Sequence, residues 1–362
     1  MMACLQGCRH AISVTETTGN AVETKYSELL KMEESDGFTR VDIKNPWDTT
    51  KTLQTLILVR EGAEAPSGFD RKQIIKVPLK NSVVYSSVHA DLLEELGVGN
   101  ALAGVCDAEY IYSPETRKRI ETGAVKDCGS GMSPNVEAII SLNPGAVLLS
   151  PYDSGSGHGK LDRTAIPIVE CADYMETSPL GRAEWIKFFG RLYGKGEMAD
   201  SLFKEIEHNY LSLKGKVKGV GKHPKVLLDR VYGGAWSVPG GNSYMSRLIE
   251  DAGGENPFAG KKISGSYSLS PEKILMQASD ADVWLIRHNG ENITYETLGN
   301  DRPLYRKFAP YINHRVFVSD TSTSRIFEDA AFHPYLLLGN LIRILHPDVE
   351  IANEKEYFEK LQ

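Results

Sequence analysis

The chain has 362 residues, 41% of them hydrophobic and 25% charged, an ordinary globular composition with enough length for two domains. Its 41 Lys and Arg against 48 Asp and Glu give a formal charge of −7. No basic block stands out, which excludes nucleic acid as the main partner. No apolar run approaches the roughly 20 residues of a membrane-spanning helix.

Residues 1–25 are predicted to be a leader and a flexible tether, since residues 9–25 are polar and rich in Thr. Leu5-Gln6-Gly7-Cys8 resembles a bacterial lipobox, in which the Cys is lipidated and becomes the mature N-terminus. Gln6 is unusual at its position, and the charged and hydrophobic regions of a signal peptide are missing before it. Two alternatives therefore stay open for Cys8, a lipid anchor and a chance cysteine in a disordered leader.

Residues 26–76 are predicted to be an extension built around a β-hairpin. Two β-rich runs, FTRVDIKN and TLQTLILVR, flank Pro46-Trp47-Asp48, which is typical of a turn. A further strand is expected in IIKVPL at residues 74–79. The role of this extension is open, either an extra sheet edge on the next domain or a contact for a partner.

Residues 77–178 are predicted to form an N-lobe in which strands alternate with helices, typical of a mostly parallel sheet covered on both faces. Its strands are SVVYS, ALAGVC, AVLLS and IPIVEC. The most informative stretch is SPNVEAIISLNPGAVLLS, in which Ser133 can cap a helix and Pro134 suits its first turn. Glu137 then lies near the positive helix end, and a wholly apolar strand follows the helix.

Residues 179–222 are predicted to contain a long linking helix. An apolar stripe recurs at spacings of three and four in Met198, Leu202, Ile206, Tyr210, Leu213 and Val217. A helix of ~24 residues spans about 36 Å, enough to cross between two lobes. The alternative is a long surface helix within one domain.

Residues 223–362 are predicted to form a C-lobe with strands KVLLDR, DVWLIR and RVFVSD. Here SLSPEKILMQASDADVWLI repeats the earlier arrangement, since a Ser-Pro pair opens a short helix with Glu272 in its first turn. The repeat is too degenerate and too long in period for a solenoid, so it indicates two similar α/β lobes.

The two Ser-Pro…Glu segments resemble the signature of ABC-transporter periplasmic substrate-binding proteins for iron complexes, the ferric-siderophore, haem and cobalamin family, over roughly residues 80–347. The resemblance implies an α/β fold of two Rossmann-like lobes joined by a single long helix, which would close only slightly on a ligand. It implies that Glu137 and Glu272 dock on an ABC permease, whose ATPase is a further partner. It also implies a monomer in the bacterial periplasm, either free or as a membrane-anchored lipoprotein.

Ligands of parallel sheets bind beyond the carboxyl ends of the strands, and in a two-lobed protein both sets of strand ends can face one cleft. The residues predicted to bind ligand on the N-lobe are Ser87, His89, Tyr110, Tyr112, Tyr152 and His158. On the C-lobe they are Arg230, Tyr232, Trp236, Tyr267, Arg287 and Arg325.

The three arginines lie at or near the ends of C-lobe strands, and a cluster of them would suit an anionic ligand rich in oxygens. The alternative is that they form ordinary salt bridges with Asp229, Asp320 or Asp329. An iron chelate, a ferric siderophore or haem, is therefore expected as the ligand. Cobalamin is the second candidate, because its neutral-to-amphiphilic bulk needs aromatic faces more than cations.

No resident cofactor, metal site or enzymatic activity is expected. His89, His158 and His288 could meet in one cleft, as in binders of bare zinc or manganese, but no H-x-H or H-E-x-x-H spacing supports a preformed site. A chelatase-type enzyme on a similar fold is the rival from another class, yet no nucleophile motif is present. Cys106 and Cys128 each follow a predicted strand, and a disulfide between them stays an open alternative.

Overall fold

The structure is a computed structural model that describes residues 19–152, 157–352 and 355–362. The predicted lipidation site Cys8 lies outside these residues. None of the helices in the described ranges combines the length and the apolar character that a membrane span requires.

An N-terminal sheet of five strands occupies the region where a hairpin extension is predicted. Its strands lie in chain order and are β1 (Asn20–Val22), β2 (Leu30–Ser35), β3 (Phe38–Asn45), β4 (Asp48–Arg60) and β5 (Ile74–Val77). The predicted hairpin is the β3–β4 pair, while β5 joins β4 in parallel. The predicted tether ends before residue 25, because β1 pairs with β2.

The N-lobe contains a second sheet, in the order β12-β11-β6-β7-β8, with every neighbouring pair parallel. A small antiparallel pair, β9 and β10, lies beside it. Its central strands are buried on both faces, which explains why their sequences are continuously apolar. The elements are β6 (Ser82–Val84), α1 (Ser87–Glu95), β7 (Leu102–Val105), α2 (Pro114–Glu121), β8 (Lys126–Asp127), β9 (Gly129–Ser130), β10 (Ser133–Pro134), α3 (Val136–Ser141), β11 (Ala146–Leu149) and β12 (Ile168–Glu170).

Three helices connect the lobes, namely α4 (Pro179–Glu184), α5 (Ile186–Leu192) and α6 (Gly196–Lys216). The long helix α6 packs against α5, and its buried face includes Ile206 and Tyr210 of the predicted stripe. Met198 is exposed, because the buried face turns to Ala199 at this end. Ala199 lies against Gly190 of α5, where any Cβ would collide with it, so a glycine permits this close packing.

The C-lobe contains a third sheet, in the order β13-β16-β17-β18, with parallel pairs except at β18. Strands β14 and β15 form a separate antiparallel pair, which packs on the sheet through Trp236 and Trp284. The elements are β13 (Val226–Leu228), β14 (Trp236–Pro239), α7 (Tyr244–Asp251), β15 (Ser266–Leu269), α8 (Pro271–Ala278), β16 (Val283–His288), α9 (Tyr295–Asp301), α10 (Ala309–Ile312), β17 (Val316–Asp320), α11 (Ile326–Phe332), α12 (Pro334–Leu345) and β18 (Glu359–Lys360). Short 3-10 helices lie at Arg71–Gln73, Gly99–Ala101, Ala108–Tyr110, Gly159–Arg163, Asp173–Met175 and Pro303–Lys307.

Two buried carboxylates, Glu184 in α4 and Glu176 just before this helix, hold residues 25–29, the segment that joins β1 to β2. The Glu184 carboxylate accepts hydrogen bonds from the backbone N–H groups of residues 25, 26 and 27, at 2.8–2.9 Å. The Glu176 carboxylate accepts them from residues 28 and 29, at 3.0–3.1 Å. Five consecutive amides, together with Lys187 Nζ at 3.1 Å from Glu184 Oε1, therefore satisfy two charges that would be costly to bury alone.

The side chain of Gln54 joins strand β4 to the free edge of the N-lobe sheet. Its Nε2 donates to the Ile168 carbonyl at 2.7 Å, and its Oε1 accepts from the Glu170 N–H at 3.0 Å. Both partners belong to the edge strand β12, so the N-terminal sheet covers an edge that would otherwise be open to pairing.

The lobes contact each other along α1 of the N-lobe and α11 of the C-lobe. Ser87 Oγ donates to Glu328 Oε1 at 2.7 Å, and Asp91 forms an ion pair with Arg325. One further turn along α1, a carboxylate oxygen of Glu95 lies 2.8 Å from His333 Nε2. The three α1 residues are spaced by four, so they share one helix face. A continuous apolar core runs behind them through both lobes.

Candidate functional site

A cavity of about 420 Å³ opens between the two lobes, and we call it the interlobe cleft. Its walls begin where strands of both sheets end, since Tyr85 follows β6, Asn289 follows β16 and Thr321 follows β17. This is the position at which parallel sheets bind ligands. The N-lobe wall includes Tyr85, Ser87, Asp107, Tyr110, Tyr112 and Tyr152. The C-lobe wall includes Asn289, Thr321, Phe327 and Glu328.

Four of the residues predicted to bind ligand lie in the walls of the cleft, namely Ser87, Tyr110, Tyr112 and Tyr152. Tyr110 and Tyr152 are exposed, so their rings are available to a molecule that enters. Aromatic faces of this kind suit a large flat or macrocyclic ligand. That these four residues contact a ligand stays a prediction.

His89 does not line the cleft, which corrects the sequence prediction. Its side chain is 1% exposed, and its Nε2 lies 2.8 Å from Asp173 Oδ1. Its ring lies 5.0 Å from the ring of Phe189, within the apolar core. Burial alone would raise the pKa of Asp173, but His89 and Arg182 outweigh it and lower that pKa. His89 is therefore a core residue of α1 that is hydrogen-bonded to the buried Asp173.

His158 lies in a neighbouring cavity, which shares Tyr85, Gly131 and Tyr152 with the interlobe cleft. Its Nε2 lies 2.6 Å from Glu170 Oε1, and this hydrogen bond raises the pKa of His158. The alternative in which His89, His158 and His288 meet is not supported, because His89 lies in the core, His158 lines this neighbouring cavity and His288 lines neither cavity. Nowhere in the described ranges do three or more His, Cys, Asp or Glu side chains form a group that could hold a metal ion.

The three arginines do not converge as free cations, which corrects the predicted anion site. Arg287 forms a bidentate pair with Asp229, at 2.5 and 3.0 Å. Its guanidinium lies 5.8 Å from the ring of Phe327, whose side chain lines the cleft. Asp229 adopts a left-handed backbone conformation with φ 56°, immediately before Arg230. A guanidinium removed from water needs a charged partner, and Asp229 supplies it.

The other two arginines are also paired. Arg230 contacts Glu291 and lies 3.4 Å from Asp301. Arg325 pairs with Asp91 of α1 and lies 3.6 Å from Asp329. The alternative of ordinary salt bridges therefore describes all three arginines better than an anion-binding cluster does.

The three C-lobe aromatic residues predicted to bind ligand lie outside the walls of the cleft. Trp236 is 0% exposed, stacks on Trp284 with ring centroids 5.7 Å apart, and donates from Nε1 to the Leu228 carbonyl. It faces inward together with Val238, whereas Ser237 between them is exposed. Tyr267 donates to the Phe258 carbonyl, and Tyr232 is 88% exposed on a turn.

Some residues of the cleft escaped the sequence analysis. Tyr85 falls inside the predicted strand SVVYS, but β6 ends one residue earlier and leaves Tyr85 at the strand end. Phe327 and Glu328 lie in the first turn of α11, which reaches the cleft by packing on α1. The position after a strand is a signal for Tyr85, whereas no local pattern identifies the two α11 residues.

The polar groups of the cleft are incompletely satisfied. Tyr85 Oη and Glu328 Oε2 are buried and form no hydrogen bond of ordinary geometry with the described residues, although the Cys106 thiol lies near Tyr85 and the backbone N–H of Glu328 lies near its own carboxylate. Burial raises the pKa of both groups, although the hydrogen bond from Ser87 lowers that of Glu328. Asp107 has one carboxylate oxygen held by the N–H of Gly131 at 3.0 Å. Unpartnered buried oxygens are uncommon and indicate groups that a ligand could complete.

The two predicted docking carboxylates lie on the surface. Glu137 is in the first turn of α3 with its side chain 81% exposed, and Glu272 is exposed in the first turn of α8. Ser270 caps α8 and Pro271 opens it, as predicted. In α3 the cap is Asn135 instead of Ser133, because Ser133 belongs to strand β10.

The three cysteines in the described ranges, Cys106, Cys128 and Cys171, are free and buried. Burial raises the pKa of Cys106 to about 12 and that of Cys128 to about 11. In this structure Cys106 and Cys128 are therefore not joined by a disulfide, and burial suppresses the reactivity of their thiols.

The family model described as periplasmic binding protein matches residues 83–323. An uncharacterized lipoprotein of Methanocaldococcus jannaschii is 26% identical, over 99% of this chain and 93% of the relative. A second uncharacterized lipoprotein of that organism is 27% identical, over 84% of this chain and 80% of the relative.

Solved structures show the same fold. A periplasmic heme binding protein from Pseudomonas aeruginosa is similar with a TM-score of 0.60 and 14% identity, over 78% of this chain and 98% of that protein. A protein of an ABC-type Fe3+-hydroxamate transport system from Saccharomonospora viridis is similar with a TM-score of 0.58 and 17% identity, over 74% and 94%. The predicted α/β fold of two lobes is confirmed, and the chain belongs to the periplasmic binding protein family.

Proposed function

We propose that this protein is the substrate-binding component of an ABC importer, which captures a metal chelate in the interlobe cleft and delivers it to the permease and its ATPase. The observation that carries the proposal is the cleft itself. It lies at the strand ends of both lobes and combines four tyrosines with the unpartnered oxygens of Tyr85 and Glu328. A ligand that fills it would contact both lobes at once.

The chemistry of the cleft supports a chelate more than a bare ion. The described residues offer no group of metal ligands, whereas aromatic faces and hydroxyl groups suit an organic shell around a metal. An iron chelate, a ferric siderophore or haem, is the first candidate, and similar proteins bear names that refer to iron-hydroxamate and heme. Cobalamin is the second candidate, favoured by the aromatic walls.

Delivery requires a surface that the permease recognises, and Glu137 and Glu272 fit that role. Each carboxylate is exposed in the first turn of a short helix, one on each lobe. Their interaction with the helix ends is worth only about 0.3–1 kcal/mol, so changing them should leave the fold intact.

Charge reversal at both sites, Glu137→Arg with Glu272→Arg, is expected to abolish transport while leaving ligand affinity unchanged. Transport is measured by uptake of radiolabelled iron chelate, and affinity by isothermal titration calorimetry. The matched control is Glu296→Arg, because Glu296 is also exposed in the first turn of a helix, α9. Normal transport by the double variant would refute the docking role, and an equal loss of binding and transport would place the carboxylates in the ligand site.

A further inference from the structure

The charge of the interlobe cleft is negative. Among the described residues that line it, the only ionisable side chains other than tyrosine are Asp107 and Glu328. No Lys, Arg or His side chain contributes to the described walls. An anionic ligand in this cleft would therefore meet two carboxylates and no cation from its described walls, the opposite of what the arginine pattern predicts. The adjoining cavity contains His158 and Lys160, but His158 lies 2.6 Å from Glu170 and Lys160 lies 3.9 Å from Glu137.

The nearest arginines are already neutralised. Arg287 lies behind Phe327 and forms a bidentate pair with Asp229. Arg325 pairs with Asp91 and borders the adjacent cavity along α1. Recruiting either guanidinium to a ligand would leave a partly buried carboxylate without its partner, which is costly.

Glu328 is the distinctive group of the cleft. It is 7% exposed, Ser87 holds its Oε1, and its Oε2 has no partner among the described residues. It is also part of the contact between the lobes, because Ser87 lies on α1 and Glu328 on α11. A ligand that donates a hydrogen bond to Oε2 would satisfy this oxygen and gain a charge-assisted contact.

We propose that the interlobe cleft selects metal chelates of zero or positive net charge and that Glu328 is the carboxylate that recognises a cationic or N–H donor group on them. This inference rests on the proposed function. Three monoanionic hydroxamates neutralise a ferric ion, and a pendant ammonium makes such a complex cationic. Three doubly ionised catecholates leave three negative charges, which Asp107 and Glu328 repel.

The test is calorimetric titration of the full chain with three ferric complexes: a trihydroxamate with a pendant ammonium, a neutral trihydroxamate and a tricatecholate. The cationic complex should bind most tightly and the tricatecholate at least about a hundredfold more weakly. In Glu328→Gln, affinity for the cationic complex should fall about tenfold, as expected for one charge-assisted hydrogen bond, with little change for the neutral complex. Glu296→Gln, the same change at an exposed site, should alter none of these affinities.

Tighter binding of the tricatecholate, or of haem with its two propionates, than of either trihydroxamate would overturn the charge selection and leave the proposed function standing. Binding of none of the three complexes, nor of haem or cobalamin, would overturn both. An equal loss for the cationic and neutral complexes in Glu328→Gln would make Glu328 a structural residue only. If that variant does not fold, the affinities of the unmodified protein and of Asp107→Asn decide the charge selection alone.

Discussion

The two carboxylate oxygens of Glu328 have different surroundings. Ser87 satisfies one carboxylate oxygen, whereas the other is buried without a partner among the described residues. Burial raises the pKa of Glu328, and the nearby Asp91 raises it further, while Ser87 and Arg325 lower it. A buried carboxylate oxygen that destabilises the protein without ligand, and that can accept a hydrogen bond from a ligand, is typical of a binding site.

We expect the Glu328→Gln variant to be at least as stable as the unmodified protein at neutral pH. Its free energy of unfolding should be higher by up to about 1 kcal/mol. The folded-state pKa of Glu328 is raised, so the folded chain holds this proton more tightly than the unfolded chain does. The Glu328 contribution is therefore favourable below the unfolded pKa of about 4.3 and is lost as pH rises through the folded pKa.

Urea denaturation of both proteins across this acid range checks the prediction. The stability difference should shrink as the pH falls below the raised pKa of Glu328. A variant less stable by more than about 1 kcal/mol at neutral pH would show that the Ser87–Glu328 contact outweighs the buried charge.

For single residues, the sequence predicted which side chains follow a strand better than it predicted which groups those side chains contact. Tyr110, Tyr112 and Tyr152 lie in the cleft because the position after a strand is a property of the chain. The arginines were misjudged because their partners come from other elements. Asp229 adjoins Arg230 in sequence, yet it pairs with Arg287 of the neighbouring strand.

The helices α3 and α8 show that strand pairing can override a helix-capping signal in the sequence. The second Ser-Pro-Glu segment forms the predicted cap at Ser270, whereas in the first the pairing of β10 with β9 takes Ser133 away and Asn135 caps α3. The sequence analysis missed strands β1 and β2 of the N-terminal sheet for a related reason. Strands β1 and β2 have weak apolar alternation, and their position depends on carboxylates of residues 176 and 184, far along the chain.

The attachment of residues 25–27 is predicted to depend on Glu184. Glu184→Gln replaces a carboxylate oxygen that accepts backbone N–H groups by an amide that cannot, within a fully buried site. The free energy of unfolding should fall by about 3 kcal/mol, as when one partner of a buried charged network is removed. The amides of residues 25–27 should also exchange faster in hydrogen-exchange experiments.

The matched control is Glu207→Gln, because Glu207 contacts the same segment through Lys25 Nζ at 2.6 Å but near the surface. Loss of this ion pair should lower the free energy of unfolding by no more than about 1 kcal/mol. Similar effects of the two substitutions would contradict the role given to the buried carboxylate.

In the whole molecule, the repeated Ser-Pro-Glu segments were sufficient to predict two lobes, because each lobe folds from a similar series of elements. The contacts between the lobes could not be predicted, since they join α1 to α11 across more than two hundred residues. Together with α6 and the shared apolar core, these contacts oppose a hinge motion.

Ligand binding is therefore expected to leave the radius of gyration unchanged within error in small-angle X-ray scattering. The variant Asp91→Ala with Arg325→Ala removes an ion pair between the lobes and should permit a larger decrease on binding. A decrease of several ångströms in the unmodified protein would contradict this rigidity.

The contact of Gln54 with strand β12 also bears on how the protein is made. Ribosomes synthesise β4 more than a hundred residues before β12, so Gln54 is already available when the edge strand emerges. Nascent chains on neighbouring ribosomes are crowded, and an open edge invites pairing between them. A contact of Gln54 with β12 at that stage would limit such pairing, and this benefit is independent of any ligand.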